Sequence, residues 1–353
     1  MADRIPVVLV AGFLGSGKTT LLNHLLRAGR DTRIGVVVND FGAINIDSML
    51  VAGQVDAMVS LGNGCVCCAV DVSELDELFT RLAQPRAGID VIVVEASGLA
   101  EPRNLIRMVI GSDNPRIRYG GLVEVVDAEH FPQSNAQHPE LTTHLRLADL
   151  VVLNKSDRVC AQRLTALRGQ ISELVGQVPV YATTKGRLDP GLLFDEPLRR
   201  PADGARQLSF DELLRDEHDH EDEEHTRTHA DRAHRHLHDD YTSVSFDSVD
   251  ALDPRALVEF LENPPTGLFR AKGFAAFGVE DERRKFVLHM VGSHIVFEPD
   301  SWARGESPVT RMVLIGAGLQ VENALERLRA TVHTEALPLD PRSMLGIWRY
   351  TPH

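Results

Sequence analysis

Long apolar runs are missing from this chain of 353 residues. None approaches the roughly 20 residues that a membrane-spanning helix needs. The short apolar stretch within residues 1–13 carries both an acid and a base and runs into a glycine loop. It reads as a buried strand, not a signal peptide, and a cytoplasmic location is expected. Basic charge is scarce: 37 Lys and Arg stand against 51 Asp and Glu, a net −14. That argues against a duplex nucleic-acid binder, which needs a basic footprint. Four cysteines are too few for a disulfide scaffold. No internal repeat is evident. What is present, 43% hydrophobic and 25% charged residues, fits a soluble globular protein. The length predicts two domains at roughly 150 residues each.

Through the first half, short apolar runs alternate with helical patterns. Residues 5–10, 34–38, 91–94, 122–126, 150–153 and 178–181 read as strands, several of them continuous runs suited to burial on both faces. Residues 18–28, 73–83 and 161–175 read as helices. Such alternation predicts an α/β fold with a doubly wound, mostly parallel sheet. The pattern stops near Arg200. Residues 211–240 hold 12 acids, 4 arginines and 7 histidines; so few apolar groups predict a mobile linker. Beyond it, strands are expected at 242–246, 268–277, 285–290 and 312–315, and helices at 254–261 and 321–330. The expected domains are therefore 1–200, a linker 201–240, and a smaller α+β domain over 241–353.

Gly12, Gly15, Ser16, Gly17, Lys18 and Thr19 satisfy G-x-x-x-x-G-K-[ST] between a predicted strand and a predicted helix. The glycines let backbone N–H groups converge on phosphates, and the helix N-terminus adds a favourable dipole. Lys18 supplies charge toward the β- and γ-phosphates, and the Thr19 hydroxyl is a Mg²⁺ ligand candidate. Thr20 completes the loop's set of candidate nucleotide contacts. Asn154-Lys155-Ser156-Asp157 follows another predicted strand. A carboxylate such as Asp157 accepts two hydrogen bonds from N1–H and the 2-amino group of guanine, a donor pair that adenine lacks. Together the two motifs select GTP over ATP. Glu95 closes a predicted strand at its carboxyl end, where ligands bind in such sheets. It is a candidate for holding a Mg²⁺-bound water or orienting the attacking water, and Gly98 is a candidate γ-phosphate donor.

Cys65, Cys67 and Cys68 crowd three thiols into four positions after a glycine turn. Adjacent Cys67 and Cys68 cannot form a relaxed disulfide with each other. Three thiolates from one loop can face one tetrahedral cation, and their softness suits Zn²⁺ or Cu⁺ over Mg²⁺. A reversible disulfide such as Cys65–Cys68 is the competing redox reading. Cys160 stands alone and is expected as buried filler.

These segments together resemble the CobW-type GTPases, a P-loop family linked to cobalt, zinc and nitrile-hydratase metal handling. The likeness covers nearly the whole chain: GFLGSGKTTLLN (12–23), NDFGAINID (39–47), GCVCC (64–68), EASGLAEP (95–102), VVDAEH (125–130), NKSD (154–157), LFRAKGF (268–274), Trp302 and the 312–319 strand and turn. The resemblance implies a slow GTPase metallochaperone that binds a transition metal at the cysteine motif. Zn²⁺ is the expected cargo, Co²⁺ the alternative, and a client metalloprotein the recipient. It also places Asp40, a candidate catalytic residue, and Asp47 in a segment that changes with nucleotide state. Many members carry an acid where this chain has Ala43, so a metal ligand sometimes assigned there is absent. A regulatory switch with structural zinc is the alternative class.

The linker histidines, His218, His220, His225, His229, His234, His236 and His238, include i,i+4 pairs and i,i+2 pairs. Imidazole suits Zn, Ni and Cu, so they are candidate auxiliary metal ligands. A mobile chain loses entropy on closing a site, which points to a low-affinity reservoir.

Overall fold

The computed structural model describes residues 4–29, 32–38, 57–60, 72–96, 101–194, 241–335 and 337–352. Among these residues seven parallel strands form the first sheet: β1 (Ile5–Ala11), β2 (Ile34–Val38), β3 (Ala57–Ser60), β4 (Val91–Glu95), β5 (Ile117–Asp127), β6 (Leu150–Asn154) and β7 (Val180–Ala182). Their order is β3-β2-β4-β1-β5-β6-β7. The chain steps outward from β1 on one side, then crosses to the other after β4. Crevices that bind ligands open at the carboxyl ends of strands beside such a reversal.

The physical reason for this layering is legible in β1. Val7, Val8, Leu9 and Val10 are all fully buried. Val8 and Val10 pack with Leu21, Leu22 and Leu25 of α1 (Lys18–Ala28). Val7 and Leu9 pack on the opposite face with Leu75 and Phe79 of α2 (Val72–Leu82), and with Leu105 and Val109 of α3 (Pro102–Ile110). Alternate side chains thus enter different cores, so a strand with helices on both sides reads as an unbroken apolar run. Beyond β5 come α4 (Phe131–Gln137) and α5 (Glu140–Leu147), then α6 (Ala161–Val175) after β6 and the single turn α7 (Pro190–Leu193) after β7.

Three expectations need correction. β5 begins at Ile117, not at 122, because Gly120 and Gly121 interrupt the apolar pattern while the ladder continues. β7 starts at Val180: Pro179 has no N–H to give a sheet ladder. Cys160 is exposed at the N-cap position of α6, so it is not buried filler.

The second sheet is antiparallel, in the order β11-β10-β9-β12-β8. Its strands are β8 (Thr242–Ser248), β9 (Leu268–Ala275), β10 (Lys285–Val291), β11 (His294–Asp300) and β12 (Thr310–Gly316). One face meets α8 (Pro254–Glu262), α9 (Val321–Arg329) and α10 (Leu345–Arg349) around Phe246, Leu257, Phe286, Leu288 and Phe297. Phe269, Val291, Ile315 and Ala317 leave that core and join the β1–α1 core. A buried polar contact reinforces the join. Asp149 accepts hydrogen bonds from the Tyr119 hydroxyl (2.5 Å) and the Leu122 N–H (2.9 Å), and from the Ser293 N–H of the β10–β11 turn. Among the described residues no helix is long and apolar enough to cross a membrane.

Candidate nucleotide site

The candidate site is built where β1, β4, β5 and β6 end. Residues 12–17 turn the chain from β1 into α1. Gly12 has φ 143° and lies so close to β5 that a Cβ would stand 2.3 Å from the Val125 carbonyl oxygen. Gly17 has φ 104°, and a Cβ there would stand 2.2 Å from Asn154 Nδ2. Both positions therefore require glycine for space as well as for backbone conformation. Ser16 is buried beneath the loop, whereas Gly15 and Thr20 are exposed on its outer side. Lys18 opens α1, and its Nζ donates to the carbonyls of Gly12 (2.9 Å) and Phe13 (3.3 Å). That ammonium is thereby folded back over the loop that the motif assigns to phosphates.

Thr19, one residue on, donates its hydroxyl hydrogen bond to Glu95 Oε1 at 2.8 Å. Glu95 ends β4 and is 3% exposed, so it is not a solvent-facing strand terminus. A hydroxyl and a carboxylate held together by a strand end and a helix start are hard oxygen donors, the chemistry that Mg²⁺ prefers.

Asn154 is the clamp of the site. Its Nδ2 donates to the Ser16 carbonyl (2.9 Å), and its Oδ1 accepts from the Gly186 N–H (2.9 Å). One buried amide thus ties the phosphate loop, the end of β6 and the loop after β7. Lys155 has φ 59° and donates to Asp127 Oδ2 at 2.7 Å. Asp157 lies in a short turn, exposed, and takes no hydrogen bond or ion pair from other described residues.

Three features of this region were not foreseen. Glu124, in the middle of β5, is 3% exposed; burial pushes its carboxyl up to about 8, partly offset by Lys18. Its signal was an acid within an apolar strand. Asp127 ends β5; partial burial pushes its carboxyl up, but hydrogen bonds from Lys155, His130 and the Glu129 N–H outweigh this and hold it below its ordinary value. The loop 183–187 joins through Ser156 Oγ to Thr184 Oγ1 (3.1 Å) and through Gly186 against the backbone of Leu21. Asp127, Glu129 and His130 bring potential metal-ligating atoms within 4.8 Å of one another. Asp127 is already paired with Lys155, and Glu129 lies 3.3 Å from Arg158.

Asp40, Asp47, Gly98, Cys65, Cys67, Cys68 and the seven linker histidines lie outside the described residues. The structure therefore brings together Gly12, Gly15, Ser16, Gly17, Lys18, Thr19, Glu95, Asn154 and Lys155, with Asp157 at the margin.

Residues 6–182 match the model of the CobW/HypB/UreG nucleotide-binding domain, and residues 241–332 match the cobW C-terminal domain. A zinc chaperone CobW from Sinorhizobium sp is 29% identical over 346 residues, covering 89% of this chain and 93% of the relative. The zinc chaperone YjiA of Escherichia coli (strain K12) is 32% identical over 199 residues, 55% of this chain and 62% of the relative. A zinc-regulated GTPase metalloprotein activator 1 from Dictyostelium discoideum is 30% identical over 221 residues, 52% of this chain and 46% of the relative. This chain, with its phosphate loop folded under Lys18 and clamped by the amide of an Asn-Lys-x-Asp turn, belongs to the CobW/HypB/UreG family.

Proposed function

We propose that this protein is a GTP-hydrolysing metallochaperone whose cargo is zinc, bound at Cys65, Cys67 and Cys68 and passed to a client metalloprotein. The single observation that carries the nucleotide half is the Asn154 clamp, which fixes the Asn-Lys-x-Asp turn against the phosphate loop. The zinc half is supported by three clustered thiols and by the zinc-handling names of the relatives. We assign residues 1–200 to the GTPase domain, 201–240 to a histidine-rich linker and 241–353 to the C-terminal domain. The protein works in the cytoplasm.

In this reading the backbone of residues 12–17 and the Lys18 ammonium hold the β- and γ-phosphates. Lys18 leaves the carbonyls of Gly12 and Phe13 to do so. Asp157 receives the guanine N1–H and 2-amino group. Thr19 would hold Mg²⁺ and Glu95 one of its bound waters, and the ion would supply positive charge to offset that of the phosphates. In its alternative role Glu95, buried and hydrogen-bonded by Thr19, orients the attacking water through its carboxylate. Asp40 and Gly98 complete the γ-phosphate side. GTP binding and hydrolysis change the affinity of Cys65, Cys67 and Cys68 for their cargo.

Lys18→Ala removes the only side-chain charge in the phosphate loop. GTP hydrolysis, followed by phosphate release, is expected to fall at least about 100-fold, in line with the weight of preorganised charge at such sites. Wild type is expected to hydrolyse GTP in preference to ATP. Equal turnover of the two nucleotides, or full activity in Lys18→Ala, would overturn the assignment.

A further inference from the structure

Glu124 is a carboxylic acid buried directly beneath the phosphate loop. It pairs across the sheet with Ala11, the residue before Gly12. Its Oε2 is buried and has no hydrogen-bond partner among the described residues. It borders a cavity of about 420 Å³ between the phosphate loop and α4. The other charged groups around that cavity answer one another: Asp127 takes Lys155 at 2.7 Å and His130 at 3.1 Å. From α4 the cavity receives only Phe131, Gln133, Ser134 and Gln137, and from α5 only Leu141 and Leu145. Among the described residues, Lys18 is the cation that acts on Glu124.

We propose that Glu124 is a positioning residue that couples nucleotide binding to proton uptake, because it must carry its proton for Lys18 to serve the phosphates. An ionised Glu124 and a polyphosphate compete for one ammonium group. A protonated Glu124 makes no such claim. Burial favours the neutral form, with Lys18 opposing, which leaves the acid protonated at neutral pH in the free protein. Arriving phosphates add negative charge close by and tighten the proton's hold. Nucleotide affinity therefore falls as pH rises through about 8, and binding above that pH takes up a proton. Thr19 and Glu95 do not share this role, since they face each other across the β4 side of the loop.

The inference rests on the guanine-nucleotide reading, and the test keeps the two apart. GDP affinity is measured from pH 7 to pH 9 for wild type and Glu124→Gln side by side, so that titration of the nucleotide itself cancels. A coupling of one pK unit on a group near 8 makes the wild-type loss of affinity between pH 7 and pH 9 about fivefold greater than that of the variant. Calorimetry in buffers of different ionisation enthalpy, at pH 8.5, counts protons for wild type without relying on any variant. It is expected to find proton uptake on GDP binding that is absent at pH 6.5. Parallel pH profiles, or the same proton count at both pH values, would overturn the role of Glu124 while leaving the GTPase reading intact. Wild type that binds no guanine nucleotide at all would overturn both. A merely structural Glu124 would shift affinity by a factor independent of pH.

Discussion

Asn154 concentrates more of the site's geometry than any other described side chain. It is 1% exposed, and both ends of its amide are occupied by backbone groups from separate loops. Asn154→Ala leaves the Ser16 carbonyl and the Gly186 N–H without those partners. Each buried polar group left unpaired costs roughly 1–3 kcal/mol. Thermal melting is expected to show a loss of that order, and nucleotide titration a weaker GTP complex. Unchanged stability and affinity would mean the amide only fills space. Asn154, Lys18 and Thr19 were readable beforehand because their motifs are local: a few consecutive residues fix their chemistry. Glu124 was not. An acid in an apolar strand acquires meaning only when the strand is known to be buried and the phosphate loop to lie over it.

At the scale of elements, the continuous apolar runs of β1, β4 and β6 announced strands covered on both faces. Other elements left weaker traces. β3 has four residues, and β11 is an edge strand carrying Pro299 and two acids, which breaks the alternation that marks a strand. α3 and α5 bury only a few apolar side chains each, among them Leu105 and Val109, and Leu141 and Leu145. The join between the sheets was likewise invisible, since it depends on residues distant in sequence. His294 sits there, edge-on to Tyr119 with ring centroids 5.4 Å apart. Burial foremost, and then the charge of Arg118, hold its imidazole below the usual value of 6.5. The unfolded chain therefore takes up this proton first. Stability is fully present above about pH 6.5 and is lost as pH falls through the lowered folded value. The melting temperature of His294→Gln is expected to depend less steeply on pH below 6.5 than that of wild type; identical profiles would remove His294 from the account.

At the scale of the whole molecule, the acidic balance is concentrated in residues 211–240, where 12 acids face 4 arginines. The thiol cluster and the histidines were legible as chemistry but not as geometry, because ligand type is written in a sequence and ligand placement is not. In the proposed function, nucleotide state sets the metal affinity of the thiol cluster. Such coupling is reciprocal: a nucleotide that changes zinc affinity by some factor has its own affinity changed by the same factor. The most direct test is calorimetric titration of Zn²⁺ into full-length protein loaded with GDP or with a non-hydrolysable GTP analogue, with Cys67→Ser alongside. Zinc affinity at the cysteine site is expected to differ between the two loaded forms, by about 5- to 150-fold for a typical allosteric coupling. Cys67→Ser is expected to abolish this difference. Equal zinc affinity in the two nucleotide states would contradict nucleotide-controlled zinc binding.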